Sequence, residues 1–422
     1  MHIELRSPLR KLIFAAVSLV AVALYVRFAF RAFLAAHLAA SLDAQKIRRA
    51  IQLEPHNAEY PHLLGRSLAL SGTTLDDAIS AYRISVRLNP YDARSWLDLA
   101  GAYQFAGRND EQGDSVEKAA KADPATPHVA WEAGNFFLLQ GQTEKALGYF
   151  RTVLANDPET VDSTLRLCMR ATGDVDKVLD LAIPPNPDVY LSFLRLVIAM
   201  QDVSGAENVW NHLIALRRPF SAQPALPYFR FLIAERDPIA AKTAWEHLAA
   251  IDASIKPYLA SADNLVVNGG FEHNMLNGGF DWWYNTHLHA VPSLDDVQFR
   301  SGARSLNVTF DGQSVPGAPI LQYIPVKPNT SYQFSAECRS EDIDTASGPR
   351  FAIVDAYTNA SYVLTDDTLG TTPWRLHQAQ FKTGPNTNLV LLEIIRDPAA
   401  PLIRGKFWVD NVKLVEVSNQ GF

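Results

Sequence analysis

The fold of the first half of the chain is decided by residues 127–158, PHVAWEAGNFFLLQGQTEKALGYFRTVLANDP. Apolar residues recur every three to four positions on either side of Gly141, which indicates two amphipathic helices joined by a short turn. The small residues Gly134 and Ala146 let the two helices approach closely, and Phe150 fills the space toward the next pair. The stretch therefore predicts a helical hairpin.

Prolines at equivalent positions indicate that this hairpin is one of a series. Pro55, Pro90, Pro124 and Pro158 are separated by intervals of 35, 34 and 34 residues. Paired helices with a 34-residue period resemble the tetratricopeptide repeat (TPR). The resemblance predicts an all-α TPR-like solenoid over residues 40–260. The less regular helix pairs at its end are expected at 159–181, 186–216 and 224–252.

A concave groove is the expected binding surface of such a solenoid, because the first helices of stacked units line it. The residues at groove-facing positions are mostly apolar, and the cluster of Lys and Asn with which some TPR proteins clamp a C-terminal carboxylate is missing. The groove predicts binding of protein partners. The alternative is that these side chains only pack against the next repeat or a neighbouring helix. The groove-facing residues are Arg94, Leu97, Gln104, Phe105, His128, Trp131, Asn135, Leu138 and Leu139.

The N-terminus contains an uncharged apolar run of 15 residues at 12–26. A bilayer core requires about 20 apolar residues, a length reached here if Arg27 extends its charge to the interface. We therefore predict an N-terminal membrane anchor over residues 1–38 with a transmembrane helix at about 12–31. A cleaved signal peptide and a buried helix of a soluble protein are the alternatives. A single-pass protein with most of the chain periplasmic or extracytoplasmic is expected.

A second kind of domain begins near Ser261, where the hydrophobic period changes from 3.6 to 2 residues. Residues 332–339 alternate apolar and polar side chains, as do residues 305–310. Eight or more short strands, separated by turn signals rich in Gly, Pro and Asn, predict an all-β two-sheet sandwich over residues 262–418.

Five motifs of this segment resemble the jelly-roll carbohydrate-binding modules of the galactose-binding-like type. The resemblance implies a first strand at 264–272, a closing strand at 407–414 and a surface that binds glycan. The motifs are NLVVNGGFE at 264–272, GFDWW at 279–283, SGARSL at 301–306, QYIPVKPNTSY at 322–332 and FWVDNVKL at 407–414.

Sugars stack on flat aromatic rings and hydrogen-bond to amide and guanidinium groups, which selects the candidate glycan residues. Trp374 is expected in a loop, and at least one of Trp282 and Trp283 has the alternative role of plugging the end of the sandwich core. The glycan candidates are Trp282, Trp283, Tyr284, Gln322, Arg339, Trp374 and Arg396.

The same resemblance implies a structural calcium ion (Ca²⁺) between the first and last strands, with Glu272 and Asp410 at the ligand positions. Calcium takes six to eight oxygen ligands, so carbonyl groups near Ser301 would have to contribute. The alternative is that Asp410 caps a turn and Glu272 is solvated.

Composition excludes several classes of protein. The net charge of −7 argues against a chain-wide nucleic-acid binder, and the two cysteines exclude a disulfide scaffold. The sequence contains no phosphate-binding loop and no hydrolase or metalloprotease motif. His287 and His289 would share a strand face, but a third metal ligand is not evident.

The architecture predicts a non-catalytic, membrane-anchored adaptor. It would bind protein partners through the groove and polysaccharide through the sandwich, in bacterial exopolysaccharide or cell-envelope assembly. A purely protein-binding structural scaffold and a polysaccharide hydrolase or lyase are the alternatives. No cofactor other than calcium is implied.

Overall fold

The structure is a computed structural model that describes residues 8–41, 43–71, 75–285, 289–399 and 401–417. The chain forms two compact units, residues 1–184 and 185–422. The first unit is helical, and the described residues of the second unit form four α-helices, two short 3₁₀ helices and a β-sandwich. The predicted order of an apolar helix, a TPR-like helical region and an all-β sandwich is confirmed.

The first helix, α1, is longer than the predicted anchor and covers Pro8–Ala39. It is the one helix among the described residues that is long and apolar enough to cross a membrane, and its most apolar window is not buried. Only its C-terminal end packs against the protein, where Ala35 and Ala39 are buried in the core beside α2, Ala44–Leu53. A helix with exposed apolar sides and a buried end fits a membrane anchor. A signal sequence near the N-terminus has the same length and apolar composition.

The helices of the solenoid pair as the 34-residue period predicts. Asp43 and Asp92 cap helix N-termini by accepting bonds from backbone N–H groups, and Gly107 and Gly141 have positive φ in the turns between paired helices. The remaining helices of the first unit are α3, Glu59–Ser71; α4, Leu75–Leu88; α5, Ala93–Phe105; α6, Asn109–Ala122; α7, Pro127–Leu139; α8, Thr143–Asn156; α9, Val161–Thr172; and α10, Val175–Leu181.

Two more helix pairs open the second unit. Their aromatic side chains form a continuous cluster, in which the ring of Trp210 stacks on Tyr228 and the ring of Phe229 meets Trp245 edge-on. These helices are α11, Pro187–Ala199; α12, Val203–Ala215; α13, Leu226–Ala234; and α14, Pro238–Ile251.

The sandwich consists of two five-stranded sheets whose pairings are antiparallel. Its strands are β1, Trp283–Tyr284; β2, Ala290–Asp295; β3, Ser305–Asp311; β4, Ile320–Pro325; β5, Ser331–Asp344; β6, Arg350–Asp355; β7, Ser361–Leu364; β8, Gly370–Lys382; β9, Leu389–Ile395; and β10, Arg404–Glu416. The first sheet has the order β1-β4-β9-β6-β7, and the second has the order β2-β3-β10-β5-β8.

The resemblance implied a first strand at 264–272, and this prediction is wrong, because the segment forms turns and bends. Asn268 and Phe271 have positive φ, which interrupts extended backbone. The segment is nevertheless joined to the closing strand, since the Asn264 side chain donates to Val412 O and accepts from Leu414 N.

The solenoid allows a direct test of the small-residue positions. A Cβ on Gly134 would lie 2.6 Å from the Phe150 ring, which is fully buried, whereas a Cβ on Gly148 would meet nothing within 4 Å. We expect Gly134→Ala to destabilise the solenoid by about 1–3 kcal/mol, because the rigid ring must move. Gly148→Ala, the matched control, should stabilise its helix by about 0.5–1 kcal/mol. Urea unfolding measures both, and equal effects would contradict the packing.

Candidate functional site

The structure separates the seven predicted glycan residues. The prediction of glycan contact is wrong for three of them. Trp282, Gln322 and Arg396 are each at most 5% exposed and cannot offer a surface to a sugar. Trp282 stacks on Phe271 in the core, and the Gln322 amide pairs with both backbone groups of Val267. Of the two adjacent tryptophans, Trp282 has the core role that the sequence left open.

Arg396 is held by the loops that surround it. Its guanidinium donates to the carbonyls of Ser347 and Pro401 and to the hydroxyl of Thr345. Burial lowers the pKa of Arg396. These bonds fix two loops at one end of the sandwich, so the residue has a structural role.

Arg339 and Trp374 lie on the second sheet, away from the strand that carries Trp283. Arg339 is half-buried on β5, with its guanidinium 5.5 Å from the Trp408 ring centroid and 3.8 Å from Glu341. Trp374 is half-buried within β8 and is therefore not in a loop, which corrects the prediction. The two residues do not share a surface with Trp283 and Tyr284.

Trp283 and Tyr284 form the short strand β1 at the edge of the first sheet, paired with Leu321 and Ile320 of β4. Both side chains are half-buried, so part of each ring faces solvent. The Trp283 indole donates to Gly279 O at 2.9 Å and meets the Tyr323 ring edge-on with centroids 5.8 Å apart. These contacts fix the orientation of the indole ring.

A cleft of about 500 Å³ opens beside these rings, and we name it the Trp283 cleft. One wall comes from the first sheet and the loops at its edge, and the other comes from helix α13. The cleft is lined by Arg230, Ile233, Ala234, Asn277, Trp283, Tyr284, Asn285, Ala318, Pro319, Leu321 and Tyr323.

The charge and amide groups of the cleft come from residues that sequence reasoning missed. The Arg230 guanidinium lies 5.8 Å from the Trp283 ring centroid, and the Asn277 side chain accepts a bond from Tyr284 N at 2.9 Å. Burial raises the pKa of Tyr323, and the nearby Arg230 charge opposes that rise. No sequence signal connects Arg230 with Trp283, because the two are 53 positions apart on a helix and a strand.

The loop before Trp283 is tightly packed. A Cβ on Gly279 would lie 2.2 Å from the Trp245 ring of α14, and one on Gly278 would lie 2.9 Å from Leu226 of α13. Gly279 also has a positive φ of 61°, which favours glycine. The loop must therefore keep both glycines in order to place Trp283.

Glu272 and Asp410, the predicted calcium ligands, converge on the turn at 300–304. Asp410 is buried and accepts from the backbone N–H groups of Arg300, Ser301 and Asn411, and Glu272 accepts from Ala303 N. Three of the four carboxylate oxygens thus accept N–H donors, whereas calcium needs six to eight oxygen ligands. Burial raises the pKa of Asp410, and the Glu272 charge adds to the rise. The two carboxylates hold the turn at 300–304, and calcium binding stays a prediction.

The groove residues predicted in the first unit are at least partly accessible. Phe105 and Leu139 are 85% and 84% exposed, and Leu70 occupies the equivalent position of α3 at 85%. Trp131 is half-buried, with its ring 5.6 Å from that of Phe150. Arg94, Gln104 and His128 are exposed, and Leu97, Asn135 and Leu138 are half-buried.

The proposed histidine pair is only partly described. His287 lies outside the described residues. His289 Nδ1 lies 2.8 Å from Asp311 Oδ2, which lowers the pKa of Asp311. An exposed ion pair of this kind is a common surface feature.

Residues 263–400 match the family model of a carbohydrate binding domain. The resemblance that the motifs indicated is thereby confirmed for the sandwich. No curated protein matches the chain.

Solved structures resemble the two regions separately. One described as "CBM4 structure and function" is 13% identical, with 36% of this chain and 99% of that chain covered and a TM-score of 0.28. A crystal structure of the MamA protein is 14% identical; the match covers 42% of this chain and 96% of that chain, with a TM-score of 0.31. YrrB, described as a TPR protein with an unusual peptide-binding site, is 17% identical. The match covers 41% of this chain and 93% of that chain, with a TM-score of 0.28.

A carbohydrate-binding-type domain joined to a TPR-like helical region supports glycan binding and protein binding in general. The combination favours a binding protein over an enzyme.

The burial of Asp281 predicts that the stability of the loop before Trp283 depends on pH. Its carboxyl group is fully buried, which raises its pKa to about 7, while the N–H of Leu276 opposes the rise. An unfolded Asp has a pKa near 3.9, so the folded state keeps a proton that the unfolded state has lost between about pH 4 and 7. The stability from this group is therefore present at low pH and is lost as the pH rises through 7.

We expect Asp281→Asn to remove this dependence. The free energy of unfolding of the wild type should fall relative to that of the variant between pH 5 and pH 8, because only the wild type must bury a carboxylate at high pH. Urea unfolding followed by tryptophan fluorescence measures the difference. Asp296→Asn, at an exposed site, is the control and should follow the wild type; parallel curves for Asp281→Asn and the wild type would refute the assignment.

Proposed function

We propose that this protein is a non-catalytic, membrane-anchored adaptor that binds polysaccharide in the Trp283 cleft and a protein partner along the solenoid. The observation that carries the proposal is the composition of the cleft, one wall of which belongs to a domain that matches a carbohydrate-binding family. Aromatic rings, a guanidinium group and amides are the groups that sugars require: the rings cover the apolar faces of the pyranose, and the polar groups bond to hydroxyls.

Partial burial favours Trp283 as the stacking residue. Its hydrogen bond to Gly279 O and its contact with Tyr323 hold the ring before a ligand arrives. A ring that is already ordered loses little conformational entropy on binding, which improves affinity. Arg230 lies close enough to bond to a hydroxyl or a carboxylate of a sugar stacked beside the ring.

Helix α1 supports a location at a membrane, because its apolar sides are exposed along most of its 32 residues. We place the rest of the chain outside the cytoplasm, in a single-pass arrangement. A glycan-binding domain and a protein-binding solenoid held at a membrane suit exopolysaccharide or cell-envelope assembly in bacteria, which is the process we propose.

The partner surface of the solenoid is proposed from a repeated exposed position. Leu70, Phe105 and Leu139 lie at intervals of 35 and 34 residues, and all are more than four-fifths exposed. Large apolar side chains repeated on consecutive units form a stripe that a partner can cover. We name this set the apolar stripe.

The glycan role is tested with the full chain in detergent on native affinity gels that each contain one neutral or one uronate-bearing polysaccharide. We expect Trp283→Ala to weaken retention about tenfold or more, a loss of at least 1.4 kcal/mol. Arg230→Gln should weaken it less. Trp374→Ala is the matched control, because it removes a half-buried tryptophan from the other sheet.

Two outcomes would refute the glycan role of the cleft. Retention that depends on Trp374 and not on Trp283 would place the glycan on the second sheet. Absence of retention on all gels would favour a purely protein-binding scaffold.

The partner role is tested with a Phe105→Ser, Leu139→Ser double variant. We expect it to lose at least 90% of the protein that cross-links to the wild-type solenoid, because two apolar contacts are replaced by hydroxyls. Quantitative cross-linking in membranes measures the loss. Ile239→Ser removes a 70% exposed apolar residue from α14 and is the control. The same cross-linked products at the same yield in all three proteins would contradict the stripe.

A further inference from the structure

A histidine and three carboxylates meet where α3 faces the beginning of α5. His62 lies on α3 and is 3% exposed, and Glu59 is one turn earlier on the same helix. Asp92 caps α5, and Asp98 lies farther along it. One ligand atom each from Glu59, His62 and Asp92 lies within 4.8 Å of the others. The cluster therefore brings one nitrogen and two carboxylate ligands together across two consecutive repeats.

The two ring nitrogens of His62 differ in their surroundings. Nε2 lies 2.8 Å from Asp98 Oδ2, and Nδ1 is buried without a hydrogen-bond partner among the described residues. Buried polar atoms in proteins are nearly always paired, so an unpaired ring nitrogen requires an explanation. When Nε2–H donates to Asp98, Nδ1 presents its lone pair, which is the arrangement that metal-ligating histidines adopt with a carboxylate behind them.

The carboxylates already attract a cation. The Arg94 guanidinium lies 3.2 Å from Asp92 Oδ1 and 3.5 Å from Glu59 Oε2, and its side chain is 70% exposed. Ser95 Oγ donates to Asp92 Oδ2 at 2.7 Å and fixes the orientation of that carboxylate. Arg94 can swing into solvent without disturbing the core, which frees Glu59. Asp92 Oδ1 then keeps its cap bond from Arg94 N at 3.2 Å and has a second lone pair for another cation.

We propose that His62 Nδ1 and the carboxylates of Glu59 and Asp92 bind a first-row divalent transition metal ion, and that Asp98 positions His62 for this role. One imidazole and two carboxylates suit Zn²⁺, which takes His and Asp or Glu ligands and accepts water in its fourth position. Calcium and magnesium ions prefer all-oxygen sites and are not favoured here. The metal would connect α3 with the start of α5 and stabilise the junction of two repeats.

The test uses the full chain in detergent after chelator treatment, with Zn²⁺ as the probe. Equilibrium dialysis should find one Zn²⁺ whose binding is weakened at least tenfold by Glu59→Gln and by His62→Gln. The same Zn²⁺ should raise the melting temperature of the helical signal in the wild type and not in these variants. Because Glu59 is exposed, Glu59→Gln leaves the core intact and keeps the test valid if His62→Gln fails to fold.

His128→Gln is the matched control, because it removes an exposed histidine from the first turn of α7 outside the cluster. It should bind Zn²⁺ as the wild type does. Absence of Zn²⁺ uptake, or uptake that Glu59→Gln leaves unchanged, would overturn the proposal. A stronger response to Mg²⁺ than to Zn²⁺ would also overturn it, since it would indicate a general acidic surface.

Discussion

The close approach of two helices to the backbone at Gly278 and Gly279 fixes the candidate glycan site. Leu226 of α13 and Trp245 of α14 occupy the space that side chains at these glycines would need. The position of Trp245 is fixed in turn, because its indole donates to Tyr258 O at 2.8 Å and its ring packs edge-on against Phe229. This packing holds the loop that leads to Trp283. The site therefore depends on helix–loop packing as much as on the sandwich.

Trp282 supplies the opposite anchor of the same loop. Its ring is fully buried and stacks on Phe271, and a tryptophan in such a position is worth about 3–5 kcal/mol to a fold. The next residue, Trp283, points the other way because successive side chains on extended backbone alternate. One tryptophan thus holds the sandwich together, and its neighbour is left with a face toward the cleft.

The solenoid could be predicted from the sequence because its information is local. A 34-residue period and a small residue at Gly134 specify the close approach of two helices within one repeat, and the structure contains it. The ring of Phe150, predicted to face the next pair, packs against Gly134 of its own pair. The sandwich was predictable for a similar reason, since alternation and turn residues mark each strand separately.

The site was less predictable because its information is not local. Composition selected Gln322 and Arg396 correctly as hydrogen-bonding residues, but it could not tell that their partners are the protein's own backbone at Val267 and Ser347. Burial of such side chains depends on pairings across 49 to 55 positions. Arg230 was missed for the converse reason, since nothing in a helix sequence indicates that one face will border a sheet edge.

The candidate glycan site is therefore larger than the sandwich. The family match covers residues 263–400, yet Arg230 and the side chains that clamp Gly278 and Gly279 come from α13 and α14. A fragment that begins near residue 262 would lose one wall of the Trp283 cleft and would expose the glycine loop to solvent. The division of the chain into compact units points the same way, because the second unit begins at Pro185 and includes α11, α12, α13 and α14 together with the sandwich. In this chain, the last helix pair of the solenoid is part of the candidate glycan site as well as of the helical array.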